Sequence, residues 1–358
     1  MNAHSFPMPW FKLSRPGRGL LALGLSLVLL FVCAVFAGPL QAEVRAAGTA
    51  AGNRAPADDA AAYQALQEGR SNDAATLLRA TLAASPADAF AHQLFCRVYY
   101  AQDEADEAIH ECELAVSTAP ANSDQASDCE LWLGRAYGMK ARRAGLIAGF
   151  MLARKVEASF EKAVELNPAN VAALNDLGEY YVAAPYVIGG GADKARALAA
   201  RMMPRFPGAA HRLLARLADA ENDLASAESE FKQAIAAERT PDAWIDLAQF
   251  YQSHARPDDA LAAVKSGLAA DHNHGPELAD AASILTKAQR APDLAERCLR
   301  DYLASRAKSD AAPAFKVHLQ LSRLLAARGD SSDADREIAA AAALAPAFTQ
   351  SARTAQGL

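Results

Sequence analysis

The feature that most restricts this chain is a self-similarity at a spacing of 34 residues. The run SNDAATLLRATLAASPAD from Ser71 aligns with ADEAIHECELAVSTAPAN from Ala105: Ala74 answers to Ala108, Leu78 to Cys112, Pro86 to Pro120. The same half-unit returns from Val156, Ala225, Pro257 and Ser332. A complementary half precedes it, clearest as LWLGRAYG from Leu131, ALNDLGEYY from Ala173 and AWIDLAQFY from Ala243. There a large residue, Leu, a small residue and an aromatic follow at helical spacing, as in Trp244, Leu247, Ala248 and Tyr251. A unit of this length cannot bury its apolar face alone, so the copies must stack.

At these residues the chain resembles the tetratricopeptide repeat family. The resemblance implies an all-α fold, a right-handed superhelical solenoid of antiparallel helix pairs. Indexing the small residue of each second helix gives Ala74, Ala108, Val156, Ala195, Ala227, Ala260, Ala295 and Ala334, or eight repeats. Turn residues agree with this division: Gly69, Asn222-Asp223, Pro257-Asp258-Asp259 and Gly329-Asp330 separate helices. The solenoid is expected over residues 58–347, after a flexible tether at 43–57 and before a short tail at 348–358.

The spacing breaks twice. Ten extra residues fall between the helices of the third repeat (GMKARRAGLIAGFMLARK, 138–155) and five at the same point of the fourth (AAPYVIGGGADKA, 183–195). Insertions at one loop of consecutive repeats emerge side by side on one edge. The first carries Leu146, Ile147, Phe150 and Met151 between basic flanks, the second Tyr186, Val187 and Ile188. This inserted edge either extends the local core or docks a partner or a membrane surface.

Charge is unevenly distributed. Residues 1–42 hold Lys12, Arg15 and Arg18 and no acid, which leaves 33 basic against 42 acidic residues in the rest. So acidic a body argues against nucleic-acid binding, which depends on phosphate neutralisation. The basic stretch leads into an apolar run at 20–37, then Gly38-Pro39 and a small residue, Ala42, before Glu43. This order is that of a cleaved signal peptide, and the run also approaches the length of a retained N-terminal membrane anchor. Either reading exports the body to the non-cytoplasmic side, periplasmic, secreted or tethered.

Export permits disulfides. Cys96 and Cys112, on the two helices of one repeat, are offset by about 4.5 Å along the helix axis and form a candidate pair. Cys129 competes for Cys112, and simple burial of reduced thiols is the other outcome.

No catalytic or metal motif stands out. Gly189-Gly190-Gly191 before Lys194 lacks the spacing of a phosphate loop, and Asp271, His272 and His274 lack further ligands. No enzyme activity, cofactor or metal is expected. What the resemblance implies instead is an interaction scaffold of the cell envelope, holding another protein's peptide or helix in a concave groove. Carried over position by position, the groove comprises Phe90, Gln93, Arg97, Tyr100, Leu131, Arg135, Asn175, Glu179, Arg212 and Arg216. Chaperone-binding members hold a peptide carboxylate with Lys and Asn where Gln93 and Arg97 stand here, a departure that argues against that ligand. The alternative function is a structural assembly component that docks through the inserted edge.

Overall fold

The computed structural model describes residues 56–356, with side chains from 59 to 351. The signal or anchor, Cys33 and nearly all of the tether lie outside the described residues. Among those described there are seventeen α-helices and no strand. Sixteen helices pair in sequence. They are α1 Pro56–Gln67 with α2 Ser71–Ala84, α3 Ala89–Ala101 with α4 Ala105–Thr118, and α5 Asp124–Ala141 with α6 Leu146–Leu166. Next come α7 Val171–Ala183 with α8 Ala192–Met202, α9 Pro207–Ala220 with α10 Leu224–Glu238, and α11 Pro241–Ser253 with α12 Pro257–Ala270. The last pairs are α13 Glu277–Ala288 with α14 Pro292–Ala304 and α15 Ala314–Ala327 with α16 Ser331–Leu344. Helix α17, Pro346–Gln356, occupies most of what the sequence suggested was a tail. Its Phe348 packs edge-on against Phe315, and Thr349 is buried.

Local chemistry explains where helices begin. Asp88, Ser123, Asn170 and Asp223 accept backbone N–H bonds at the starts of α3, α5, α7 and α10. Proline opens α9, α11, α12 and α14. The turn inside a repeat has one recurring form. An amide bonds back five residues to a helix carbonyl: Arg70 to Ala65, Glu104 to Tyr99, Asp223 to Ala218, Arg256 to Tyr251, Arg290 to Leu285, and Asp330 to Leu325. The residue before each amide has positive φ: Gly69, Asp103, Asn222, Ala255, Gln289 and Gly329. In the fourth repeat the Gly191 amide reaches the equivalent carbonyl, Tyr181, ten residues back. The five additional residues therefore loop out while the closing bond is kept.

All eight indexed small residues are buried, none more than 4% exposed. The small position of the first helix is as strict: a Cβ on Gly178 would lie 2.9 Å from Leu213, and one on Gly134 2.4 Å from the Phe160 ring. A tyrosine fastens neighbouring repeats. Tyr137, Tyr181 and Tyr251 donate to Glu113, Glu161 and Glu228 of the preceding second helix. Lys155, Lys194 and Arg256 lie over the same three rings at 4.7, 4.9 and 4.2 Å.

The array closes on itself. Arg97 on α3 donates from Nε and Nη2 to Asp310, in the loop before α15, at 2.8 and 2.9 Å. Gln67 Nε2 donates to the same carboxylate at 2.9 Å, and Lys316 pairs with Asp103 at 2.9 Å. Ala101 joins Phe315, Leu319 and Ile338 in one apolar cluster, and a Cβ on Gly69 would meet Ala314 N at 2.7 Å. The first two repeats thus touch the eighth. The loop that carries Asp310 is braced by Tyr302, whose hydroxyl accepts from Ser309 N and donates to Ala312 O.

Cys96 and Cys112 form a disulfide, with a Cα separation of 5.2 Å. Cys129 and Cys298 are free and buried, and burial pushes their thiols up to about 12 and about 11.

Candidate interaction surfaces

The groove residues lie on the first helices, where charges from one helix face the next. Arg135 Nε on α5 donates to Asp176 on α7 at 2.6 Å, both side chains at most 3% exposed. Glu179 on α7 pairs with Arg216 on α9 at 3.4 Å. On α11, Asp246 accepts from Arg216 at 2.9 Å and Asp242 from Arg212 at 2.6 Å. These pairs form a ladder that ties the successive first helices α5, α7, α9 and α11 together, while Arg97 and Asp310 join the ends of the array. Burial pushes the Asp176 carboxyl up, and Arg135 opposes that shift. Arg212 is held above the usual guanidinium range despite its burial, because Asp246, Asp242 and Glu238 surround it.

Aromatic side chains complete the interior of the second and third repeats. Arg97 lies over Tyr63 and Trp132 at 5.3 and 5.0 Å, Arg135 over the same indole at 4.6 Å, and Tyr100 meets Trp132 edge-on. Gln93 and Leu131 are buried, Asn175 is 9% exposed, and Phe90 packs half-buried against the first repeat's core. These groove positions also take part in the pairing and packing between repeats. The pairings join repeats whose relative placement a linear pattern does not reveal.

A cleft of about 640 Å³ lies at the starts of the first helices of repeats four to seven. Val171, Phe206, Pro241 and Pro276 supply its apolar lining, and Arg212, Glu238, Asp242 and Arg306 its charge. Three lining side chains carry a buried polar atom with no hydrogen-bond partner: Arg212 Nε, Thr240 Oγ1 and Asp271 Oδ2. The other Asp271 oxygen accepts from the Asn273 and His274 amides, so the Asp271–His274 motif is a turn at the cleft's rim. Sequence reading did not find this cleft, because Thr240, Asp271 and Arg306 come from separate inter-repeat loops.

The inserted edge differs from expectation in form. The ten extra residues lengthen both helices, to 18 and 21 residues, and leave only positions 142–145 as a turn. Leu146, Ile147, Phe150 and Met151 occupy the first turns of α6 and are 92%, 83%, 45% and 61% exposed. The second insertion forms a short 3-10 helix, Tyr186–Ile188, with Tyr186 and Val187 at 88% and 70%. Ile188 is a correction: it is buried, its carbonyl accepting from Tyr180, whose hydroxyl also lies 2.9 Å from Ala153 O on α6. The two insertions therefore meet. The triple glycine is explained by packing, not phosphate. A Cβ on Gly190 would lie 1.8 Å from Ala184 O, one on Gly189 2.0 Å from the Glu157 carboxylate, and Lys194 bonds that carboxylate at 2.6 Å.

A histidine pattern also escaped the sequence reading. His92, His211 and His318 each bond through Nδ1 to a glutamate nineteen residues on, Glu111, Glu230 and Glu337, at 2.6–2.7 Å. The recurring interval was the available signal. Among the described residues no helix is long and apolar enough to cross a membrane, and no three His, Cys, Asp or Glu side chains group as a metal site.

Residues 65–127 match the family model described as tetratricopeptide repeat. A thermophilic TPR protein of Thermus thermophilus is 21% identical over 68% of this chain and 100% of its own, with a TM-score of 0.37. Yeast Tom70 is 15% identical over 88% and 67%, with a TM-score of 0.48. A tetratricopeptide repeat protein from Parabacteroides merdae is 15% identical over 69% and 91%, with a TM-score of 0.41. Among curated proteins none matches. The fold is an all-α solenoid of eight sequential helix pairs along the described residues, and residues 65–127 match the tetratricopeptide repeat family.

Proposed function

We propose that this protein is a non-enzymatic scaffold of the cell envelope that holds an extended segment of another protein in the cleft of repeats four to seven. The observation that carries this is the open cleft, whose lining residues include Arg212, Thr240 and Asp271, each with a polar atom that has no partner within the protein. Arg212 Nε is a donor, Asp271 Oδ2 an acceptor, and Thr240 Oγ1 is both. Leaving such atoms without partners is costly, and a side chain that turns toward the cleft would meet the N–H and C=O groups of an extended peptide backbone. Val171 and Phe206 give apolar side chains a floor. The groove positions of repeats two and three serve in this reading as framework.

Two features support the envelope assignment: the order of charge, apolar run and small residue in 1–42 resembles that of a signal segment, and a Cys96–Cys112 disulfide suits an oxidising compartment. The test is fluorescence anisotropy of the full chain against a library of extended peptides, with Thr240→Val and Asp271→Asn variants. Both substitutions preserve shape, and Asp271→Asn keeps the oxygen that holds the turn. Each should weaken the selected peptides about fivefold to tenfold. Peptides that bind the variants as tightly as the parent would refute the cleft as the site.

A further inference from the structure

We infer that the inserted edge of repeats three and four is a docking surface for an anionic lipid bilayer. Six of the eight large hydrophobic side chains exposed among the described residues lie on this one edge: Leu146, Ile147, Phe150, Met151, Tyr186 and Val187. They fall on two segments that Tyr180 joins, its hydroxyl reaching Ala153 O on α6 and Ile188 O of the 3-10 helix, with Arg154 and Glu157 beside Tyr186 and Val187.

Charge selects the occupant. Residues 138–156 contain five basic residues (Lys140, Arg142, Arg143, Arg154 and Lys155) and no acid, in a chain that has 42 acidic residues. The residues looped out at 183–192 carry no charge. Lys140 pairs with Asp106, and Arg154 lies 3.6 Å from Glu157, a carboxylate that Lys194 already engages. Arg142, Arg143, Arg154 and Lys155 flank the apolar run in sequence and are all exposed, although Arg143 also donates to Asp103 O and Lys155 lies over the Tyr137 ring. Arg154 follows Ile147 and Met151 at one helical turn's spacing, and its guanidinium lies 3.6 Å from Glu157 at the border of the apolar stripe. An apolar face rimmed by cations matches acyl chains beneath negatively charged headgroups.

Shape decides between a bilayer and a protein partner. The tip is convex: its most exposed side chains stand on the end of a helical hairpin that is longer than those of the other repeats. A convex wedge enters a deformable headgroup layer directly, whereas a folded partner would need a cavity moulded to it. The edge also lies on different elements from the cleft of repeats four to seven, so both surfaces can act at once.

The experiment uses the full chain carrying Ile147→Trp, a substitution at an 83% exposed position, with vesicles whose acyl chains are brominated. Quenching of the added indole emission, taken as the difference from the unsubstituted chain, reports acyl-chain contact at this edge whatever residues 1–55 do. Phosphatidylglycerol vesicles should quench it and phosphatidylcholine vesicles should not. Adding Arg142→Glu and Arg143→Glu should raise the lipid concentration needed by at least about tenfold. No quenching by phosphatidylglycerol, equal quenching by both lipids, or quenching indifferent to the charge reversal would each overturn the inference. So would quenching that appears only when an acidic protein is added.

Discussion

Replacing Asp310 with alanine should open the contact between the ends of the array without unfolding its repeats. Asp310 accepts three bonds, two from Arg97 and one from Gln67, and the paired Arg97 and Asp310 side chains are 13% and 9% exposed. Removing one partner of so buried a pair leaves an unanswered guanidinium, at a cost of about 3–5 kcal/mol if the surroundings stay closed. What else holds the ends is weaker. Lys316 and Asp103 are about one-third exposed, and such a pair contributes roughly 0–1 kcal/mol. Ala101 is small, and Phe315 keeps Ile338 on α16 and Phe348 on α17 as neighbours. The penalty therefore exceeds what resists it, and Arg97 regains water by separation of the ends. Small-angle scattering should show a larger radius of gyration, and hydrogen exchange should quicken at 67–70, 97–103 and 308–316 while other repeats keep their protection. An Arg97→Met/Asp310→Leu pair should stay closed, since apolar replacement of both partners leaves no charge to hydrate. Acid should mimic the single change. Burial raises the Asp310 carboxyl and Arg97 outweighs it, so the net shift is below the ordinary value of 3.8. The contribution is complete above that value and is lost as pH falls through the depressed one. Scattering and exchange profiles for Asp310→Ala that superimpose on the parent's would refute this reasoning.

Two further predictions concern stability. Reduction of the Cys96–Cys112 bond, which spans 16 residues, should lower unfolding free energy by about 3 kcal/mol in urea titrations. Thiol counts on the unfolded chain should rise by two on reduction, and an unchanged count would remove the bond. Gly190→Ala should destabilise the chain by about 2 kcal/mol or more, because the methyl meets a backbone carbonyl that cannot move cheaply. Exchange should show the loss centred on Tyr186–Ile188, and a melting midpoint equal to the parent's would contradict the packing described.

Much of the fold was legible because a repeat states its constraint eight times. A small residue at Ala108 alone says little, but the same position at Ala227, Ala260 and Ala295 marks where two helices approach. The surfaces were less legible. Arg97 could be placed on the inner helix face, but its partner lies 213 residues away, and only the accumulated turn of the array brings Asp310 to it. Arg212 and Thr240 were similarly separated by the chain and joined by stacking. The inserted residues 138–155 looked like a loop because they interrupt the register, yet they continue it as helix. The recurrence of Ala153, Val156 and Phe160 on the buried face of α6 was the sign that the helix ran on.

The meeting of the two ends also bears on how this architecture can change. An open stack tolerates duplication or loss of a unit, since each repeat needs only its neighbours. Here one unit more or fewer would carry Asp310 past Arg97 by a whole step, so the contact makes the number of units a matter of all or none. Room for novelty lies in the direction that leaves the step untouched, along the helix axes. Both insertions take it: one lengthens a hairpin, and the other loops out from a closing bond that is kept. Variation among descendants of this chain should accumulate at such hairpin tips, while the count of repeats stays fixed.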